Sequence, residues 1–288
     1  MDKSIIHVTN LSYTYPGNSI TTVENISFSI RKGEIFGFLG PSGAGKSTTQ
    51  KILIGILKDY TGAIQVLGRE IVDWGRDLYE KIGIAFETPN FYDKFTAYEN
   101  LRFFSSLYRY THTDISEVLE KLGLGEHKNK RYDSFSKGMK MRLNLCRAML
   151  HNPDLYFLDE PTSGLDPVNA RNVKDLIRSE KEAGKTVFLT THNMGVAEEL
   201  CDRLAFLVDG RIVLIDSPAS LKVIHGKKTL QIQYKDSGNT AVQEFPLQDI
   251  SSNKGFLQIL KEKQIETMHT QDATMEDIFI KTTGRGLQ

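Results

Sequence analysis

Residues Gly40-Pro41-Ser42-Gly43-Ala44-Gly45-Lys46-Ser47 place glycine, lysine and a hydroxyl at every fixed position of the pattern G-x-x-x-x-G-K-[ST]. Glycines at this spacing let successive backbone N–H groups turn toward one centre and cradle phosphate oxygens. The N-terminus of a following helix adds its positive dipole end. Lys46 then reaches the β- and γ-phosphates and the Ser47 hydroxyl ligates Mg²⁺, with Thr48 next in the loop. A glycine-rich turn without a ligand has no need of the Lys-Ser pair. The segment predicts a bound nucleoside triphosphate.

A second constellation lies downstream. Leu155-Tyr156-Phe157-Leu158-Asp159-Glu160 is an apolar run ending in two carboxylates. As a buried strand it sets Asp159 at the carboxyl edge of a sheet, beside the phosphate loop, to hold the Mg²⁺ shell. Glu160, one residue on, is expected to point to the other side and to orient or deprotonate the attacking water. Thr190-Thr191-His192 ends a further strand, where an imidazole meets a γ-phosphate. Ser136-Lys137-Gly138-Met139 opens a helix ahead of the acidic pair, and Ser163-Gly164-Leu165-Asp166 follows it.

The elements that must position these residues alternate in kind. Ser4 to Tyr15 and Thr22 to Ile30 read as antiparallel strands, separated by Pro16-Gly17-Asn18. The phosphate loop sits between an apolar strand, Glu34 to Leu39, and a helix expected over Ser47 to Leu57. Strands near Ala63 to Leu67 and Ile82 to Phe86 precede a helical section from about Thr96 to Leu150, broken at Gly123-Leu124-Gly125. Strand and helix then alternate to a hairpin at Asp209-Gly210. The expected fold is α/β: a P-loop core with a mainly parallel sheet, an antiparallel β subdomain, a helical subdomain at about 88–152 and a small C-terminal α+β domain. The main domain is expected over 1–225 and the accessory domain over 226–288. The latter reads as a strand pair, Thr229 to Tyr234 and Ala241 to Phe245, plus two helices.

Composition narrows the classes. The 288 residues carry 36 basic and 36 acidic side chains, so nothing implies bulk attraction to nucleic acid or anionic lipid. No apolar run approaches the roughly 20 residues that span a bilayer, and the first residues do not read as a signal peptide. Cys146 and Cys201 fit neither a disulfide framework nor a metal site and are expected as buried or semi-buried thiols in a reducing cytosol.

In order, these motifs resemble the nucleotide-binding subunit of ATP-binding cassette transporters, over roughly Ile5 to Ser217. The resemblance implies ATP and Mg²⁺ as ligands and ATP hydrolysis as the reaction, with Lys46, Glu160 and His192 catalytic. It implies Tyr15 stacked on adenine, with Tyr13 the runner-up. It implies that Ser136 and Gly138 clamp the ATP of an opposite protomer in a head-to-tail dimer, with Asp166 in the same nucleotide-contacting set. Two positions depart from the family pattern. Glu87 stands where glutamine is usual, a candidate Mg²⁺ ligand beside Ser47 and Asp159, and Phe135-Ser-Lys-Gly-Met139 replaces Leu-Ser-Gly-Gly-Gln. Both look like the efflux branch that serves drug, peptide and sodium exporters.

Eight aromatics fall between Phe91 and Tyr110, where the chain-wide 9% predicts about two. The core of the helical subdomain is expected to claim half or more. The others fit a groove for a partner helix, which in this family comes from the membrane subunit. The implied protein is the ATPase of an exporter, on the inner face of the cell membrane, with a separate permease, a second cassette and no nucleic acid. The rival is a soluble ATPase of the superfamily in translation or DNA maintenance. A single P-loop, and only 113 positions from Lys46 to Asp159, argue against it.

Overall fold

A parallel strand covered on both faces reads as an unbroken apolar run. Ile35-Phe-Gly-Phe-Leu39 forms such a strand, with every residue buried. The structure is a computed structural model and describes residues 4–110, 113–226, 228–236, 239–271 and 273–286. The described residues divide into two compact units, the first ending at Ile215 and the second running from Asp216 to Gly286.

In chain order the first unit runs β1 (Ser4–Tyr13), β2 (Val23–Arg31), β3 (Ile35–Leu39), α1 (Lys46–Leu53), β4 (Thr61–Val66), β5 (Arg69–Glu70), β6 (Ile82–Ala85) and α2 (Ala97–Ser105). It continues with α3 (Ile115–Lys121), α4 (Lys137–Met149), β7 (Leu155–Asp159), α5 (Pro167–Glu182), β8 (Thr186–Thr191), α6 (Met194–Leu200), β9 (Arg203–Val208) and β10 (Arg211–Asp216). The first sheet is ordered β2-β1-β4-β5 and its strands pair antiparallel. The second is ordered β10-β9-β3-β8-β7-β6, and β9, β3, β8, β7 and β6 run parallel.

One core lies between the sheets. Phe28 of β2 packs on Phe36 and Phe38 of β3, with ring centroids 5.8 and 4.9 Å apart. Phe36, Phe38, Phe157 and Phe188 are fully buried, each worth about 1.5–3 kcal/mol against exposure. The register sets three carboxyl ends side by side: Leu39 beside Thr191, and Asp159 beside Thr190. Ligands of open parallel sheets bind at such an edge.

The helical section resolves into α2, α3 and α4 with turns between them, and α1 stops at Leu53 rather than Leu57. Gly55 at φ +75° turns the chain out of the helix. Caps explain the starts: Thr96 and Glu99 form a capping box on α2, Ser136 Oγ accepts from the Met139 N–H at 3.2 Å, and Asp166 caps α5 ahead of Pro167.

The second unit holds α7 (Pro218–His225), β11 (Thr229–Asp236), β12 (Asn239–Pro246), α8 (Lys254–Glu262), β13 (Gln264–Gln271) and α9 (Met275–Thr283), with an antiparallel sheet ordered β12-β11-β13. Leu230, Ile232 and Tyr234 of β11 pack with Phe245, Phe256 and Ile259. One expectation is corrected here: the unit has three strands, not a pair, because the polar segment Gln264–Gln271 pairs along β11. Within the unit α7 packs on α9.

Candidate active site

The loop between β3 and α1 bends through Gly43 at φ +80° and Gly45 at φ +104°. A Cβ at Gly45 would come within 2.8 Å of the Thr22 carbonyl, so both conformation and space call for glycine. A cavity of about 490 Å³ opens above the loop. Its walls include Tyr15, Thr22, Ser42, Gly43, Gly45, Lys46, Ser47, Thr48, Glu87, Asp159, Glu160 and His192. Strands β3, β7 and β8, far apart in sequence, thus bring the phosphate loop together with Asp159, Glu160 and His192.

Within the cavity Lys46 folds over its own loop, its Nζ donating to the carbonyls of Gly40 at 2.7 Å and Pro41 at 2.9 Å. Burial pulls its ammonium below the ordinary lysine range, against the raising effect of Glu160, Asp159 and Glu87. The Ser47 hydroxyl lies 3.5 Å from Asp159 Oδ1, which also accepts a bond from the Thr190 hydroxyl. Burial raises the Asp159 carboxyl above its ordinary value, partly offset by those two hydroxyls. A cation beside it would reverse that shift.

Strand alternation alone would send Glu160 to the opposite face, and the structure corrects that expectation. Glu160 sits at φ +49°, a left-handed conformation rare for glutamate, and its carboxylate lines the same cavity as Asp159. Three donors hold it there: the Thr191 hydroxyl at 2.9 Å, the His192 backbone N–H at 2.7 Å and His192 Nδ1 at 2.6 Å. Because a carboxylate only accepts, Nδ1 carries the proton of that contact. Thr190 and Thr191 therefore belong to the site, one hydroxyl on each acid. In sequence their one signal is the Thr-Thr pair immediately before His192.

Tyr15 lines the cavity, with its hydroxyl 3.2 Å from Thr48 Oγ1, whereas Tyr13 is buried behind it in an edge-to-face contact at 5.0 Å. Glu87 follows β6, where the Asn144 side chain holds the Phe86 carbonyl at 2.6 Å. Gly40, Pro41 and Ala44 complete the loop without lining the cavity. Ser136, Gly138 and Asp166 do not line it either. Ser136 and Asp166 serve as helix caps, and Asp166 accepts from Val168 and Asn169 at 3.1 and 3.0 Å. Their two segments touch: a Cβ on Gly138 would meet Leu165 at 3.3 Å, and Lys137 lies along Gly164.

A second cavity, of about 590 Å³, lies in the same unit among the expected aromatics. Phe91, Tyr92, Phe104 and Tyr108 line it with Tyr79, Ile82, Ile84, Phe86, Thr88, Asn90 and Arg147. Of the eight aromatics Phe91 alone is fully buried; Tyr98, Phe104 and Tyr108 are half-buried, and Tyr92, Phe95, Phe103 and Tyr110 are exposed. Both cysteines are free and buried, as expected. No helix among the described residues is long and apolar enough to cross a membrane.

Residues 23–163 match the family described as ABC transporter, and residues 228–272 match the fluoroquinolone efflux ABC transporter C-terminal domain. A fluoroquinolones export ATP-binding protein of Mycobacterium tuberculosis is 47% identical over 284 residues, covering 98% of this chain and 94% of its own. The bacitracin transport ATP-binding protein of Bacillus licheniformis is 32% identical over 99% of both chains. Among solved structures, an ATP-binding subunit of an ABC transporter aligns with a TM-score of 0.70 at 29% identity, over 76% of this chain and 92% of the other. A dimeric ATP-binding cassette in a post-hydrolysis state, bound to ADP and phosphate, aligns at 0.67 and 28% identity, over 74% and 98%. The chain belongs to the ATP-binding subunits of ABC transporters, and it is an ATPase that energises export through a separate membrane permease.

Proposed function

We propose that MgATP lies over the loop from Gly40 to Thr48 with its adenine on Tyr15 and its phosphates along Lys46. The observation that carries this reading is the meeting of Lys46, Ser47, Asp159, Glu160 and His192 around one cavity. Lys46, now satisfied by two carbonyls of its own loop, would exchange them for phosphate oxygens. Hard oxygen donors suit Mg²⁺: Ser47 and Asp159 would hold it, with Glu87 at the rim and phosphate and water filling the remaining positions. When bound, the ion neutralises charge developing on the transferred phosphoryl group.

Glu160 is the general base in this reading. It accepts the proton of the attacking water, and His192 fixes its carboxylate and faces the γ-phosphate. Ser136 and Gly138, at the start of α4, and Asp166 would complete the nucleotide site of a second cassette. Lys137 in the same segment would then approach Glu87 across the closed dimer and offset its charge. The aromatic cavity receives a cytoplasmic helix of the permease, which holds the chain against the inner face of the membrane. The relatives' names support an antibiotic cargo, and the match over residues 228–272 favours fluoroquinolones.

Light scattering of the Glu160→Gln chain with and without MgATP tests the two-cassette site. MgATP should produce a dimer, and adding Ser136→Arg should abolish it while leaving nucleotide binding intact. A dimer that survives Ser136→Arg would remove the signature segment from the site.

A further inference from the structure

The aromatic cavity has one charged side chain on its walls, Arg147 from the last turn of α4. Its guanidinium lies against the faces of Phe91 and Phe104, 5.0 and 5.1 Å from the ring centroids. Nη1 donates to the Asn90 carbonyl at 3.2 Å and Nη2 to Asn144 Oδ1 at 2.7 Å. Among the described residues no carboxylate pairs with it. Other arginines divide: Arg109 pairs with Asp77, Arg178 with Asp175 and Glu199, and Arg203 with Glu34, while buried Arg142 donates to the carbonyls of Leu122 and Gly123. Burial also draws the Arg147 guanidinium below its ordinary range, with only tyrosines opposing the shift.

A half-buried cation on an aromatic wall without a counter-ion is a costly arrangement for a chain that stands alone. Guanidinium presents five N–H donors in a planar fork, and two acceptors leave most of that fork free. A planar anion entering the cavity would occupy those free donors. Tyr92 lines the cavity, and the exposed rings of Phe95 and Phe103 pack against it, each 5.1 Å away. Exposed aromatics framing a cleft suit the apolar face of a helix laid into it.

We propose that this groove takes a helical segment of the permease carrying a carboxylate among apolar side chains, and that the carboxylate forms a two-point pair with Arg147. The inference rests on the docking reading above and adds the chemistry of the docked segment. Asn90 and Asn144 pre-set the fork, so the pair forms without reorganising the guanidinium. Its carboxylate is recognised in a largely desolvated place, which gives the contact specificity for one loop of one permease.

The test uses the full chain and fluorescent peptides covering the cytoplasmic loops of the permease that co-purifies with it, read by anisotropy. One peptide should bind. Changing its acidic residue to the amide should weaken binding about tenfold or more, equivalent to about 1.4 kcal/mol or above. Arg147→Gln should weaken the acidic peptide by a similar factor and leave the amide peptide unchanged, so the two changes are not additive. If Arg147→Gln disturbs folding, the peptide-side change alone reads the pair. An amide peptide that binds as tightly as the acidic one overturns the charge pair and leaves the docking reading standing. Binding insensitive to Tyr92→Ala and Phe103→Ala, or no peptide binding at all, overturns both. Arg147-dependent adsorption to phosphatidylglycerol vesicles without peptide binding would assign the cation to lipid phosphate instead.

Discussion

Replacing Glu160 with glutamine removes one oxygen's charge and changes almost nothing in size. The carboxylate accepts from three donors, the Thr191 hydroxyl and two groups of His192. The amide oxygen can keep the His192 pair, but the amide nitrogen cannot accept from Thr191, whose hydroxyl must turn. One lost bond of this kind costs about 1–2 kcal/mol, a loss the fold tolerates. The chemical step loses far more. A positioned general base contributes about 10²–10⁴-fold, equivalent to roughly 3–5 kcal/mol in the barrier. Lys46, Ser47 and Asp159 are untouched, so nucleotide affinity should hold. Phosphate release and equilibrium binding of a fluorescent ATP analogue, measured on the same preparation, separate the two effects. Turnover within about threefold of wild type, with nucleotide bound, would refute the assignment of Glu160 as base.

Tyr15→Ala should raise KM for ATP about tenfold with a smaller change in kcat, since base stacking is worth about 1–3 kcal/mol and acts on substrate and transition state alike. Tyr15→Phe, which loses only the contact with Thr48, should leave KM nearly unchanged; an unaltered KM in Tyr15→Ala would remove the stacking role. Lys174 and then Arg178 hold the Glu199 carboxylate below its ordinary value of 4.5. A depressed acid stabilises the fold above its unfolded pKa and loses that contribution as pH falls through the folded value. Glu199→Gln should therefore lower the unfolding free energy at pH 7, by no more than about 1 kcal/mol for a partly exposed pair, and the difference should fade below pH 4.5. A deficit that persists in acid would place its origin in packing.

Local patterns carried most of the site. Lys46, Ser47 and Asp159 stand in contiguous motifs whose geometry follows from the chain turning once, so spacing alone suffices. Glu160 shows where that logic ends. Alternation along β7 sends it outward, and only the φ of +49°, held by contacts from β8, turns it inward. Thr190 and Thr191 enter through the pairing of β7 with β8, which no local window contains. In the same way β13 is polar in sequence and becomes a strand because β11 offers it a partner. Tyr13 and Tyr15 are indistinguishable by type, and the end of β1 separates them by burying one and freeing the other.

Hydrolysis in the Lys46 cavity should power export. Inside-out membrane vesicles containing this chain and its permease allow the direct measurement: ATP-dependent accumulation of a fluorescent fluoroquinolone, with wild type and with Lys46→Ala. Uptake should need ATP, stop with Lys46→Ala and parallel phosphate release. Accumulation that continues with Lys46→Ala, or hydrolysis that proceeds with no uptake of any antibiotic tried, would contradict that coupling.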